Sequence, residues 1–144
     1  QLQREISRRE AIETRLYRRD QTYRASFDAA PLGIIHTTLD CRFERANARF
    51  CEMLGYSLAA VSSLNVQTIT HPDDRGKPAA EYAPLLAQDS SMAHFTVEKR
   101  YLRKDGSTLW ANTTVAIVRD EADAPLFAIA IIADITDYKR AQLA

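Results

Sequence analysis

The chain has 144 residues, of which 46% are hydrophobic and 26% charged, and its 19 basic side chains balance 19 acidic ones. This composition is typical of one folded domain with a core, and it excludes a disordered or collagen-like chain. The charge balance lacks the basic excess of a nucleic-acid binder, and the longest apolar run, 125–133, is far shorter than the ~20 residues that cross a membrane. We therefore expect a soluble domain that neither binds nucleic acid nor inserts into a membrane.

The cysteines and the chain ends give two further expectations. Cys41 and Cys51 are too few for a disulfide framework and lack metal-ligand spacing, which favours a reducing cytosol and no metal site. The chain begins with Gln1 and stops at Ala144 inside a helical pattern. We interpret it as part of a longer polypeptide.

The first predicted element is a helix over residues 1 to about 24. This stretch has no glycine or proline, is rich in Gln, Arg and Glu, and places its apolar residues in a narrow stripe. The stripe consists of Leu2, Ile6, Ile12, Leu16, Tyr23 and Phe27. So narrow a stripe suits pairing with a second helix or packing on a sheet, and a solvated linker helix is the alternative.

A β-hairpin is predicted next, because the β-branched run 33–38 and the run 42–46 flank a short turn. Asn47 is expected to cap a short helix that Gly55 ends. Two short turns follow, and then a helix over about 72–88 in which two prolines suggest a bend.

The last third of the chain predicts an antiparallel meander of strands over 92–103, 108–118 and 126–136. The final strand is apolar on both faces, so both faces need cover. Thr136 or Asp137 is then expected to cap a last helix.

Five short motifs in this order resemble the PAS sensory domain and its C-terminal PAC motif. They are residues 27–34, 53–57, 71–75, 103–107 with Trp110, and 134–136. The resemblance implies an α+β fold: a five-stranded antiparallel sheet in the order 2-1-5-4-3, with short helices on one face and an N-terminal amphipathic helix. It divides the chain into a linker and dimerisation helix (1–24), the PAS domain (25–137) and the start of an output helix (138–144).

Small residues on the helix-facing side of the strands predict a hollow beneath the short helices, which is where PAS domains hold ligands. The alternative is that large neighbours fill this space. The candidate pocket residues are His36, Phe50, Leu54, Ile69, Tyr82, Leu86, Phe95, Val97, Lys99, Tyr101, Leu109, Ala111, Thr113, Ala128, Ala130 and Ile132. An inward Lys99 would need an anion, unless its side chain extends outward to solvent.

Two further surfaces are predicted. The dimer interface combines the apolar stripe with one face of the last strand, and its candidates are Leu2, Ile6, Ile12, Leu16, Tyr23, Phe27, Ile129 and Ile131. Residues Asp134, Ile135 and Thr136 resemble the joint through which PAS domains pass a change to an output helix. There Thr136 would cap the helix, and Asp134 would bond to a basic or aromatic neighbour.

Cofactor and enzyme chemistry find little support in the sequence. Flavin-binding PAS photoreceptors carry a reactive cysteine in a motif that aligns with residues 65–70, where this chain has none. Haem-binding PAS domains use a histidine on the helix that aligns with 72–88, which has none either. We expect neither haem nor flavin, and without a nucleophile elbow or a glycine-rich phosphate loop we expect no catalytic residues.

The resemblance thus predicts a cytoplasmic, homodimeric PAS sensor module of a multidomain signalling protein. It would relay the binding of a small ligand or partner to a C-terminal effector. That effector would be a histidine kinase of a two-component system, or a diguanylate cyclase or phosphodiesterase of cyclic-di-GMP signalling. The alternative is a ligand-free PAS spacer that only dimerises.

Overall fold

The computed structural model describes residues 1–76, 84–86 and 94–143. In chain order its elements are the N-terminal helix α1 (Leu2–Ala29), β1 (Gly33–Thr37), β2 (Phe43–Ala46), α2 (Ala48–Leu54), α3 (Leu58–Val61), a 3-10 helix (Pro72–Asp74), β3 (His94–Leu102), β4 (Thr108–Arg119), β5 (Pro125–Asp134) and the C-terminal helix (Thr136–Leu143). Residues 84–86 are also helical.

The five strands form one antiparallel sheet in the order β2-β1-β5-β4-β3, which confirms the predicted order. The last strand, β5, therefore lies in the middle, between β1 and β4. Its register sets Ala130 opposite Ile35 of β1 and Ile132 opposite Thr113 of β4. All four side chains point to the face that the short helices cover, because side chains alternate along a strand.

That inner face carries the hydrophobic core. Ala128, Ala130 and Ile132 of β5 are buried, in agreement with the predicted alternation. The large, fully buried side chains that complete the core include Phe50 and Leu54, which α2 presents one turn apart.

Asn47 caps α2, as predicted, since its Oδ1 accepts the N–H of Phe50 at 3.0 Å. Gly55 ends the helix in the left-handed conformation, with φ of 81°, which a residue without Cβ adopts at little cost. The N–H of Gly55 donates the last hydrogen bond of the helix, to the carbonyl of Cys51.

Two helix predictions need correction. The N-terminal helix continues to Ala29 instead of stopping near residue 24, because nothing disfavours helix before Pro31. The predicted helix over 72–88 begins as a 3-10 helix that ends at Asp74 and turns at 75–76. Gly76 and Pro78 both disfavour helix here. Residues 77–83 and 87–88 of the prediction lie outside the described residues.

The 3-10 helix is held to β3 by an ion pair between Asp74, which is buried, and Arg100, which is partly exposed. The carboxylate of Asp74 is fully buried and accepts from the backbone N–H of Arg100 at 2.7 Å and from its guanidinium at 2.8 and 3.0 Å. These hydrogen bonds raise the pKa of Arg100 further. The His-Pro-Asp-Asp segment therefore has a structural role at the edge of the sheet.

Candidate functional site

A small cavity lies between the inner face of the sheet and the segments that cover it. Its volume is about 40 Å³. The lining residues come from strands β1, β3, β4 and β5, from the turn between β1 and β2, and from the segment before the 3-10 helix. They are Ile35, Thr37, Cys41, Val66, Gln67, Lys99, Tyr101, Thr113, Val115, Ala128 and Ala130. The predicted hollow thus exists, but it is far smaller than the ~300 Å³ or more of a site for a drug-sized ligand.

The structure sorts the predicted pocket residues into two groups. Five of them line the cavity: Lys99, Tyr101, Thr113, Ala128 and Ala130. The others on the inner face pack in the core around it, fully or partly buried: Phe50, Leu54, Ile69, Phe95, Val97, Leu109, Ala111 and Ile132. Large side chains therefore fill most of the predicted hollow, and the small residues of β5 leave the remainder open.

Two of the predicted pocket residues are placed elsewhere. His36 lies on the outer face of β1, because Ile35 and Thr37 take the inward positions on either side of it. Leu85 is buried in the core in the place expected for Leu86, which is only half-buried. Tyr82 lies outside the described residues.

Lys99 is unusual among the residues of the cavity wall, because it is a lysine and yet only 4% exposed. Its ammonium does not extend to solvent. It donates to the hydroxyl of Thr70 at 3.3 Å and lies 4.6 Å from the centre of the Tyr101 ring. In the described part of the chain no carboxylate forms an ion pair with it.

Thr113 adds a second unusual polar group to the same wall. Its side chain is 2% exposed, and its hydroxyl oxygen finds no hydrogen-bond partner among the described residues. A buried hydroxyl without a partner costs about 1–3 kcal/mol relative to a satisfied one. The cavity therefore presents a buried cation and a free hydroxyl to whatever occupies it.

Some lining residues were not predicted. Val115 continues the inward alternation of β4 and could have been found from it. Ile35 and Thr37 were missed because β1 is apolar at successive positions, so that period two does not identify its inner face. Cys41, Val66 and Gln67 come from connecting segments, where no periodic pattern marks a residue as inward-facing.

On the outer face, the end of α1 covers part of the sheet. Phe27 is buried and packs edge-on against His36 at 5.7 Å, and His36 stacks on Phe127 at 5.4 Å. The Arg45 guanidinium lies 4.6 Å from the Phe27 ring centre. Burial, with a smaller contribution from Arg45, lowers the pKa of His36.

The rest of the predicted dimer surface is exposed on this chain. Apart from buried Phe27 and half-buried Ile129, its members are open to solvent: Leu2, Ile6, Ile12, Leu16, Tyr23 and Ile131. The N-terminal helix therefore covers the outer face only near its last turns, and its apolar stripe continues uncovered.

The joint between β5 and the C-terminal helix differs from the expected arrangement. Asp134 accepts from the backbone N–H of Thr136 at 2.9 Å and from its hydroxyl at 2.6 Å, and no basic or aromatic side chain of the described ranges bonds to it. The Thr136 hydroxyl accepts the N–H of Trp110 at 3.1 Å, so it holds the helix to β4 instead of capping it. Ile135 also donates its N–H to the carbonyl of Trp110, at 2.9 Å.

Lys139 connects the C-terminal helix to the outer face of the sheet. Its ammonium lies 2.6 Å from the carboxylate of Glu98 on β3 and 5.2 Å from the centre of the Trp110 ring. The helix is thus connected to β3 and β4, which also form part of the cavity wall.

We also searched the described ranges for a metal site, a membrane-spanning helix and a reactive thiol. They contain no cluster of three or more His, Cys, Asp or Glu side chains that could hold a metal ion. Within them no helix is both long and apolar enough to span a membrane. Burial, reinforced by Asp28 and Glu52, raises the pKa of the Cys51 thiol and so disfavours the reactive thiolate.

Comparison with known proteins gives a consistent result. A sequence model of the family described as "PAS fold" matches residues 43–132, which is more than half of the chain. Over 120 residues the chain is 34% identical to the sensor histidine kinase TmoS of Ectopseudomonas mendocina and 28% identical to the probable diguanylate cyclase DgcE of Escherichia coli. Each alignment covers 83% of the chain, but only 12% of the first protein and 11% of the second.

Solved structures agree on the fold. The PAS domain of an HTR-like protein from Haloarcula marismortui superimposes with a TM-score of 0.72 at 24% identity. The superposition covers 88% of this chain and 99% of that domain. At this identity the likeness concerns the fold alone.

Proposed function

The chain belongs to the PAS family, and on that premise we propose that it is the sensory and dimerisation module of a larger cytoplasmic signalling protein. The module would receive a small ligand in the inner cavity and pass the change to an effector beyond the C-terminal helix. The effector would be a histidine kinase, or a diguanylate cyclase or phosphodiesterase, and the catalysis would belong to it. The relatives support this, since one is a sensor histidine kinase and another a probable diguanylate cyclase.

One observation carries the sensory role: the cavity and the joint share strand β4. Thr113 points from β4 into the cavity, and three residues earlier Trp110 binds the start of the C-terminal helix through both its N–H and its carbonyl. A change in the cavity that shifts β4 would therefore also alter the hydrogen bonds that hold the helix. A joint with two arrangements can act as a switch in this way.

The dimer would be a second copy of this chain, paired through the N-terminal helices. The exposed stripe of α1, from Leu2 to Tyr23, continues a surface that already packs on the sheet at Phe27. Basic side chains outnumber acidic ones beside the stripe, but both signs are present, so arginines of one copy can pair with glutamates or aspartates of the other.

A ligand-free spacer is the second candidate, because the cavity is small. In that case the 40 Å³ would hold only water, and the chain would transmit changes in its N-terminal helix. A metabolite library screened against the 144-residue chain separates the two candidates. The sensor predicts a compound that both raises the melting temperature and shifts the fluorescence of Trp110, the single tryptophan. A broad library without any such compound would support the spacer.

A further inference from the structure

We propose that the inner cavity binds a small carboxylate, held by Lys99 and Thr113. The inference rests on the proposed sensory role of the cavity and names the chemical class of its ligand. Three features support it: a buried cation and a buried hydroxyl that have, respectively, no carboxylate partner and no hydrogen-bond partner among the described residues, and a space of matching size.

The environment of Lys99 leaves its charge uncompensated. The Thr70 hydroxyl donates to the carbonyl of Val66 at 2.7 Å, so it can serve Lys99 only as a neutral acceptor. The Tyr101 ring attracts the ammonium through its π face but carries no net charge. An ammonium has three donors, and in the described part of the chain only one of them has a partner. Because an unpaired buried charge is expensive, the site favours an anion.

Thr113 lies close to Lys99 on the same wall. In the register of β3 and β4, Lys99 is opposite Ala111 and Val97 is opposite Thr113, so Lys99 and Thr113 are diagonal neighbours on the inner face. The free hydroxyl can donate one hydrogen bond into the cavity. A carboxylate, which accepts at two oxygens, can bond to the ammonium with one and to the hydroxyl with the other.

The volume limits the size of the anion. One water needs roughly 10–15 Å³ in this measure, so 40 Å³ holds about three waters or an anion of three or four heavy atoms. Val115, Ala128 and Ala130 add apolar side chains to the wall and suit a short alkyl group, whereas Thr37 and Gln67 add polar ones. A short-chain monocarboxylate of the size of acetate fits this space. Phosphate, which has five heavy atoms, exceeds the three or four that this volume holds.

The test is calorimetric titration and thermal unfolding of the 144-residue chain with sodium acetate. Sodium chloride at equal ionic strength and acetamide, a neutral molecule of the same shape, are the controls. We expect acetate alone to give saturable binding and a higher melting temperature. Acetate acting no differently from chloride, or acetamide matching acetate, would overturn the proposal in favour of a water-filled cavity.

Two variants test the residues. Lys99→Met removes the charge but keeps the length of the side chain, and it should abolish acetate binding while leaving the melting temperature in acetate-free buffer unchanged or higher. Thr113→Val keeps the volume and should weaken acetate binding by about tenfold. Acetate binding of unchanged strength in K99M would refute the site. If K99M does not fold, T113V decides alone, and undiminished acetate binding there would refute it.

Measuring Trp110 fluorescence in the same titrations distinguishes failure of the carboxylate site from failure of the proposed sensory relay. Acetate that binds without a change in Trp110 emission would support the anion site and count against the relay. A different metabolite that shifts Trp110 emission, when acetate does not bind, would support the sensor and refute the carboxylate site.

Discussion

The Asn47 side chain uses all of its hydrogen-bonding capacity inside the protein. Its oxygen accepts the N–H groups of Ile34 and Phe50, and its amide nitrogen donates to the carbonyls of Phe27 and Leu32. One residue therefore joins the end of α1, the start of β1 and the first turn of α2. Its sequence position reveals the helix cap, but the bonds to α1 and β1 depend on how the chain folds back.

Asn47→Ala should destabilise the fold by about 3 kcal/mol. The substitution removes a helix cap, typically worth ~1 kcal/mol, and leaves buried carbonyl and N–H groups without partners. Ser57→Ala is the matched control, since Ser57 is an exposed cap with a single bond to the N–H of Ala60, and it should cost about 1 kcal/mol. Urea unfolding measures both. Equal costs for the two variants would contradict the proposed difference between a buried junction and a simple cap.

His36 makes stability depend on pH. Its lowered pKa means that the folded protein binds a proton at His36 less readily than the unfolded chain does, whose histidine has a pKa of about 6.5. Its contribution is therefore fully present above that value and is lost as the pH falls through it towards the folded pKa. The free energy of unfolding should therefore decrease as the pH is lowered below about 6.5.

Two variants test whether His36 causes this pH dependence. His36→Gln should flatten the decrease, because glutamine does not titrate, whereas His94→Gln changes an exposed histidine and should keep the original slope. Urea unfolding at several pH values gives the slopes. An unchanged slope in H36Q would show that other groups are responsible.

At the scale of elements, the joint is the place where strand and helix are most directly coupled. The Thr136 hydroxyl bridges the Asp134 carboxylate and the N–H of Trp110, while Lys139 spans to Glu98 on β3. The sequence predicts the three joint residues through the family resemblance. It does not predict their partners, because Trp110 and Glu98 approach only when β3 and β4 pair.

Thr136→Val should loosen the C-terminal helix while leaving the core intact. The methyl group replaces a hydroxyl that bonds to two partners, so the amides of 137–143 should exchange with solvent roughly five- to tenfold faster, corresponding to about 1 kcal/mol or slightly more. Thr96→Val is the control, since its hydroxyl bonds to Thr114 on an exposed part of the sheet. Hydrogen exchange followed by mass spectrometry or NMR measures the effect. Equal acceleration in both variants would exclude a special role for the joint.

The elements differ in how well the sequence predicts them. Strands β4 and β5 begin and end within two residues of the prediction, because alternation and the flanking turn residues mark them. The prediction for β1 was wrong at His36. Its polarity suggested a pocket residue, but its side chain lies on the outer face, between aromatic rings of α1 and β5. The burial of Lys99 could not be predicted either, because the same residue on an uncovered strand would reach solvent.

At the scale of the whole molecule, most of the N-terminal helix lies away from the folded body. The helix has 28 residues and is therefore roughly 42 Å long, yet Phe27 is its one buried side chain in the described part of the chain. Isolated helices gain little stability from propensity alone and depend on packing of an apolar face. The exposed stripe thus argues for a second helix beside it, which in the proposed dimer would come from the second copy of this chain.

Deleting residues 1–22 should convert the dimer into a monomer without unfolding it. The melting temperature of the full chain should rise with protein concentration, because association stabilises the folded state, whereas that of the truncated chain should not. Phe27→Ala is the matched control: it removes the contact with His36 and should cost about 3 kcal/mol, but it keeps the exposed part of the stripe, from Leu2 to Tyr23, and hence the dimer. Sedimentation equilibrium gives the oligomeric state of each variant. A full-length chain that stays monomeric at high concentration would refute the dimer, and a truncated chain that still dimerises would move the interface to the sheet.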